Sequence, residues 1–298
     1  MTRLSLLGSL IFLLTACGRD PSAHSYLFLG HCYQWIGSGD RIDPRVAALP
    51  LENYDQIWLG GDACAKTTLQ PATLAYLDSL FRFSRGDVHW AWGNHDVLYG
   101  NEDRLMATTG RPDYYAQWVD GFLLVVLNTN LFQWPNSRPD SAFCERMEGQ
   151  YHMLESLADT VSAASHVVVL HHYCLLTNEL TGGRYDLDTV FNYYKPFFKV
   201  RCLPDDATFE KAVYPLLKKI RNRGIEVVLV GGDLGQRAKS FEFQTSDGIW
   251  FLGSGINNSV DPARAPAYVT NFGPDQVLEF RYEPKRRVLS WKFLLLGE

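Results

Sequence analysis

Five apolar runs in this sequence stop on side chains that bind cations or move protons. "LFLGHCY" ends in His31, Cys32 and Tyr33, "IWLGGDAC" in Gly61 and Asp62, and "HWAWGNHD" in Asn94, His95 and Asp96. "VVVLHHYC" ends in His171 and His172, and "VVLVGGDLG" in Gly232 and Asp233. Imidazoles, carboxylates and amide oxygens are metal-ligand types, so the set reads as a metal-site constellation. Glycine ahead of the polar residue allows a sharp turn and a close backbone approach. Asp62, Asn94 and His95, at the ends of apolar strands, need partners to offset their burial.

The runs at 26–29, 56–60, 88–93, 122–128, 166–170, 226–230 and 249–253 are four to seven residues long and rich in β-branched and aromatic residues. They read as interior strands. Helical spacing lies between several of them. Phe209, Val213, Leu216, Leu217 and Ile220 share one face, as do Met153, Leu154, Leu157 and Val161. The final segment alternates on either side of "EPKRR" and predicts a hairpin. Strand–helix alternation with a β-rich tail gives an α/β fold with mixed sheets. No repeat or linker divides it, so residues 26–298 form one domain. In such sheets the carboxyl ends of strands converge on one crevice, which would gather the five polar ends into one site.

The chain carries 28 basic and 33 acidic residues, net −5, with no basic block, so nucleic-acid binding has no electrostatic support. A hydrophobic share of 46% excludes a disordered chain.

"GGD" at 60–62 and "GNHD" at 93–96, followed by a histidine pair after a strand, resemble the calcineurin-like metallophosphoesterases. The likeness runs from about Phe28 to about Leu234. It implies a four-layer α/β/β/α sandwich with two mixed β-sheets. It also implies two divalent or trivalent metal ions (Mn, Fe or Zn) and hydrolysis of a phosphomonoester or phosphodiester by a metal-bound hydroxide. Asp62 matches the bridging carboxylate and Asn94 the amide ligand. His95 matches the proton donor, with Asp96 expected to hold its imidazole. His171 or His172 supplies the next ligand, and the sequence leaves that choice open.

Two motifs depart from the family. Its Asp-x-His becomes His31-Cys32-Tyr33, and its Gly-His-x-His becomes Gly232-Asp233-Leu234-Gly235. One ligand is lost at Gly235, and Tyr33 binds only as a phenolate, which calls for an ion such as Fe(III). His31 and Asp233 look exchanged between the first and last motifs. That trade predicts an altered metal site of His31, Asp62, Asn94, His171 or His172, and Asp233. The same departures motivate an alternative, a non-catalytic phosphate- or glycan-binding envelope lipoprotein with a reduced metal site.

The N-terminus has a basic start, an apolar run from Leu4 to Leu14, and "LTAC" ending at Cys17. This resembles a bacterial lipobox. It implies a signal peptide over 1–16, acylated Cys17 as membrane anchor, a leader over 17–25, and a place in the cell envelope, periplasmic or on the outer surface. The expected substrate is a phosphorylated small molecule or glycan.

Cys144 and Cys202 make a possible bridge, while Cys32, Cys64 and Cys174 read as small apolar thiols packed behind the site. The aromatic stretch containing Tyr185, Phe191, Tyr193, Tyr194, Phe197 and Phe198 is either a lid or a self-packed cluster. Arg237 and Lys239 are expected at the solvated surface.

Overall fold

The structure is a computed structural model that describes residues 23–34, 37–133, 139–194, 197–204, 207–257 and 261–297. The signal segment 1–16 and Cys17 lie outside the described residues. Among those described, no helix is long and apolar enough to cross a membrane.

The chain runs β1 (His24–Leu29), α1 (Pro44–Ala47), β2 (Gln56–Leu59), α2 (Pro71–Phe81), β3 (Val88–Trp90), α3 (Asn94–Val97) and α4 (Glu102–Thr109). It continues through β4 (Tyr115–Val119), β5 (Phe122–Val126), α5 (Ser141–Thr160), β6 (His166–His171), α6 (Tyr214–Arg221) and β7 (Glu226–Gly231). It closes with β8 (Ser240–Gln244), β9 (Trp250–Ser254), β10 (Gln276–Glu283) and β11 (Val288–Leu295). Two mixed sheets result, in the orders β11-β10-β1-β2-β3 and β4-β5-β6-β7-β9-β8.

Side-chain alternation sorts the strands into layers. Phe28, Trp58 and Phe280 of one sheet meet Leu124, Val168 and Val230 of the other in a core between the sheets. On the outer faces, Leu27, Leu59 and Trp90 pack with Leu74 and Leu77 of α2, and Val167, Val169 and Leu229 pack with Leu154 of α5 and Leu217 of α6. This is the α/β/β/α sandwich expected from the sequence. The hairpin is β10–β11, with Glu283 opposite Val288.

Two details differ. The helical face from Phe209 begins as a π-helical turn over Phe209–Val213, and α6 starts only at Tyr214. Pro215 explains the break, because its missing N–H is tolerated only in a first helical turn. Cys144 of α5 and Cys202 do form a disulfide, which fastens the segment between β6 and α6 to α5.

Candidate metal centre

β1, β2, β6 and β7 point the same way within their sheets, and the loops that follow them abut. A Cβ on Gly30 would lie 2.7 Å from Gly232 Cα, and one on Gly232 would lie 2.1 Å from Gly60 O. Backbone therefore touches backbone where the two sheets meet, and only glycine permits it. A side chain on Gly61 would strike His172 Nδ1 at 2.4 Å. His31 and Asp62, just after these glycines, adopt positive φ of 48° and 52°. Such angles cost a non-glycine residue about 1–2 kcal/mol, and strain of this kind concentrates at functional sites.

Asp62 is the hub. Its Oδ1 accepts the His95 backbone N–H at 2.9 Å. Its Oδ2 faces His31 Nε2 at 3.7 Å and His172 Nε2 at 3.6 Å. Both imidazoles are oriented from behind by backbone carbonyls, which can only accept. His31 Nδ1 donates to Ile256 O at 3.1 Å, and His172 Nδ1 donates to Gly60 O at 2.8 Å. In their neutral forms both Nε2 lone pairs then converge on a carboxylate oxygen. His172 Nε2 also lies 3.3 Å from Asn94 Oδ1. So many acceptors facing one another require a cation or a proton between them.

The titration behaviour agrees. Burial opposes charge on His172, yet Asp62, Asp233 and the Gly60 carbonyl together raise it above its usual value. Burial likewise works against an ionised Asp62, but His172, His31 and His95 hold its carboxyl below the usual range. Burial dominates at His31 and pushes it down to about 4. Asp233 is buried, its Oδ2 has no hydrogen-bond partner, and burial pushes it up to about 6. An unsatisfied buried carboxyl oxygen beside His172 and Asp62 is a donor that suits a cation.

By donor type and lone-pair direction, His31, Asp62, Asn94, His172 and Asp233 fit a metal ion. Among the described residues, however, no group of three or more His, Cys, Asp or Glu side chains closes on a single point as a bound ion would hold them.

The structure resolves the open choice within the histidine pair and corrects the expectation for Asp96. His171 does not face Asp62, because its Nδ1 donates to Tyr173 O at 2.7 Å and its ring lies against Gly231. Parity explains this: Val167 and Val169 of β6 face α5 and α6, so His171 does too, while Val168 and Leu170 face inward and His172 follows them. Asp96 does not hold the His95 imidazole. Its carboxylate accepts from Asp62 N, Ala63 N, Gly93 N, Thr67 Oγ1 and Trp90 Nε1 at 2.8–3.1 Å. It locks the "GGD" and "GNHD" loops together, and the His95 ring instead donates from Nδ1 to Ala65 O at 3.2 Å.

Lys239 is not at the surface. It is buried, donates to Gly235 O at 2.7 Å, and pairs with Asp275 at 2.7 Å. Asp275 also accepts from Asn257 N and Arg45 Nη2, so this network braces the loop carrying Asp233. No single motif marks it, and only the fold brings its members together. Cys32, Cys64 and Cys174 are buried free thiols, pushed well above the usual thiol value chiefly by burial, which suits packing rather than ligation. Tyr33 is likewise held as a phenol by burial and by the carboxylates nearby.

The donors floor an open cleft of about 760 Å³ lined by Tyr33, Asn94, His95, Tyr173, Tyr193 and Tyr268, among others. Of the aromatic stretch, Tyr193 reaches the cleft while Phe191 and Tyr185 pack on Phe241.

The family model for calcineurin-like phosphoesterases matches residues 31–200, more than half of the sequence. The chain belongs to the calcineurin-like phosphoesterase family. That family normally binds two divalent metal ions and hydrolyses phosphate esters. Among solved structures, the chain is similar to the phosphopantetheinyl hydrolase PptH of Mycobacterium tuberculosis at 14% identity and a TM-score of 0.44, covering 83% of this chain and 99% of that one. It is also similar to vacuolar protein sorting 29 of Cryptosporidium parvum at 12% identity and a TM-score of 0.36, covering 93% and 99%. No curated protein gives a significant match.

Proposed function

We propose that this phosphoesterase-family chain is an active, metal-dependent hydrolase of phosphate esters, with its ion held by His31, Asp62, Asn94, His172 and Asp233. One observation carries the reading: two imidazoles, each oriented by a backbone carbonyl, aim their lone pairs at Asp62 Oδ2. A cation bound there would neutralise phosphoryl oxygens and make water more acidic.

The chain's own residues do the rest. Asp62 fixes the His95 backbone, and Ala65 O accepts a hydrogen bond from the Nδ1–H, leaving Nε2 to serve the substrate. As the bond from phosphorus to the alcohol oxygen breaks and a water oxygen takes its place, the doubly protonated His95 ring gives the departing oxygen its Nε2 proton, and the proton lost by the attacking water restores the ring through solvent. Asp96 acts only by holding the two loops in register.

Gly235 favours the second reading, a binding protein with a reduced site. It stands where the family has a histidine, and backbone atoms of Ile256, which would lie 2.8 Å from any Cβ at that position, close the space. The test is to load the purified protein with Mn, Fe or Zn, count ions per chain, and assay aryl phosphate mono- and diesters. The proposal expects bound metal, turnover, and a His95→Ala protein that keeps its metal but loses about 10²–10⁴-fold in rate. Bound phosphate without turnover supports the binder, and failure to retain any metal sinks both. The envelope anchor at Cys17 belongs to the same reading, supported by "LTAC", and labelling with radioactive palmitate tests it.

A further inference from the structure

Four tyrosines line the cleft: Tyr33, Tyr173, Tyr193 and Tyr268. Tyr33 packs on the rings of His31 and His95, with centroids 4.7 and 5.4 Å away. Tyr173, next to His172, meets Tyr193 at 5.6 Å. Tyr193 and Tyr268 remain 39% and 48% exposed, large rings presented to a concave space beside the candidate metal centre. Rings so placed are ligand surface rather than core.

Two separate segments supply them, and hydrogen bonds fix both. Asn192 donates through its backbone to Asp233 O at 3.0 Å and through Nδ2 to Leu234 O at 2.9 Å, which ties the neighbouring Tyr193, a cleft residue, to the Asp233 loop. Thr270 and Asn271 donate to Gln236 O at 2.9 and 3.0 Å, which brings the Tyr268 segment to the same loop. The rings are thus held by the same loop that carries Asp233.

Charge points to the ester class. The cleft's lining includes the carboxylates Asp62 and Asp233 and the cation Arg237, with no lysine among the described lining residues. Arg237 already pairs with Asp188 at 2.9 Å. A monoester is close to a dianion at neutral pH, whereas a diester carries one charge. With Asp62 and Asp233 committed to the cation, Arg237 is the one other Lys, Arg, Asp or Glu among the described lining residues; because Asp188 already engages it, the wall suits the single charge better.

We propose that the cleft selects phosphodiesters bearing a planar ring on an esterified oxygen, with Tyr193 and Tyr268 as the ring-binding walls. This rests on the phosphate-ester reading of the metal centre. Calorimetric titration of the metal-loaded protein with diphenyl, phenyl and dimethyl phosphate separates ring from charge. Diphenyl phosphate is expected to bind at least about tenfold tighter than either of the others. Tyr193→Leu and Tyr268→Leu, at exposed positions that keep apolar bulk, should each weaken diphenyl phosphate about three- to tenfold and leave dimethyl phosphate unchanged.

Phenyl phosphate binding as tightly as diphenyl phosphate overturns the diester preference. Dimethyl phosphate matching diphenyl phosphate, or tyrosine variants with unchanged affinity, overturns the ring-binding walls. If none of the three binds while metal is retained, the phosphate-ester reading falls and this inference with it. That outcome is distinct from any ranking among the three.

Discussion

Asp62 and His95 are joined by a 2.9 Å hydrogen bond from the His95 backbone N–H to Asp62 Oδ1. The carboxylate at the middle of the donor set and the candidate proton donor therefore move as one unit. The other oxygen, Oδ2, is the one that meets His31 and His172. A change on either strand end is transmitted to the other.

The histidine pair divides its labour by parity. His172→Ala should abolish or sharply reduce metal retention while leaving the fold intact, since its ring serves the donor set. His171→Ala should keep the metal and lower stability by about 2–3 kcal/mol, because a buried ring on the helix-facing side is lost. Ion counts per chain and urea midpoints for the two variants decide the matter, and reversed effects would show that the assignment is wrong.

Restoring the family histidine at 235 should not restore a second metal. Gly235 has φ of +116°, and a Cβ there would lie 2.8 Å from Ile256 C and O. Both the angle and the contact oppose any side chain. Gly235→His is expected to lose more than about 2 kcal/mol of stability and gain no metal equivalent. An added equivalent in a stable variant would show that the loop can reopen.

What the sequence made legible follows from where each strand lies. Interior strands such as "HVVVL" and "EVVLV" are continuous apolar runs because both faces are covered. β4 ("YAQWV") and β8 ("SFEFQ") escaped notice because they are edge strands, mixed in polarity and partly exposed. The polar strand ends identified Asp62, Asn94, His95 and Asp233 as neighbours, and the structure brings them to one cleft or its wall. The choice between His171 and His172 needed the knowledge of which face of β6 meets the helices. The role of Asp96 needed its five donors, which come from two separate stretches of chain. Lys239 reads as a surface charge until Asp275, distant in sequence, is seen beside it.

Asp96 and His95 should separate stability from turnover. Asp96→Asn sets an amide N–H₂ against donors that now share a carboxylate, and hydrogen bonds to charged groups are worth about 1.5–3 kcal/mol each. Burial and the Asp62 charge raise Asp96 to about 6, so the comparison belongs at pH 8, where the carboxylate is ionised. There Asp96→Asn should cost at least about 3 kcal/mol, while His95→Ala costs under about 1 kcal/mol and removes activity. Denaturation of the two variants alongside rate measurements checks this. An Asp96→Asn protein as stable as the parent would return Asp96 to a direct catalytic role.

His89 makes the protein sensitive to acid away from the metal centre. It is fully buried in β3, its Nδ1 meets Tyr115 OH at 2.9 Å, and its Nε2 has no partner. Burial, aided by the Arg111 charge, lowers it from 6.5 to about 3. Between those values the unfolded chain binds a proton that the folded chain refuses, so stability is complete above pH 6.5 and falls as the pH drops towards 3. At pH 5 the loss from His89 alone is about 2 kcal/mol. His166, lowered to about 4 mainly by burial, adds in the same direction. Urea unfolding at pH 7 and pH 5 should therefore show a smaller pH-dependent loss in His89→Gln than in the parent, by about 2 kcal/mol. Parallel losses in the two proteins would mean that His89 takes up its proton without unfolding, and that the acid sensitivity lies elsewhere.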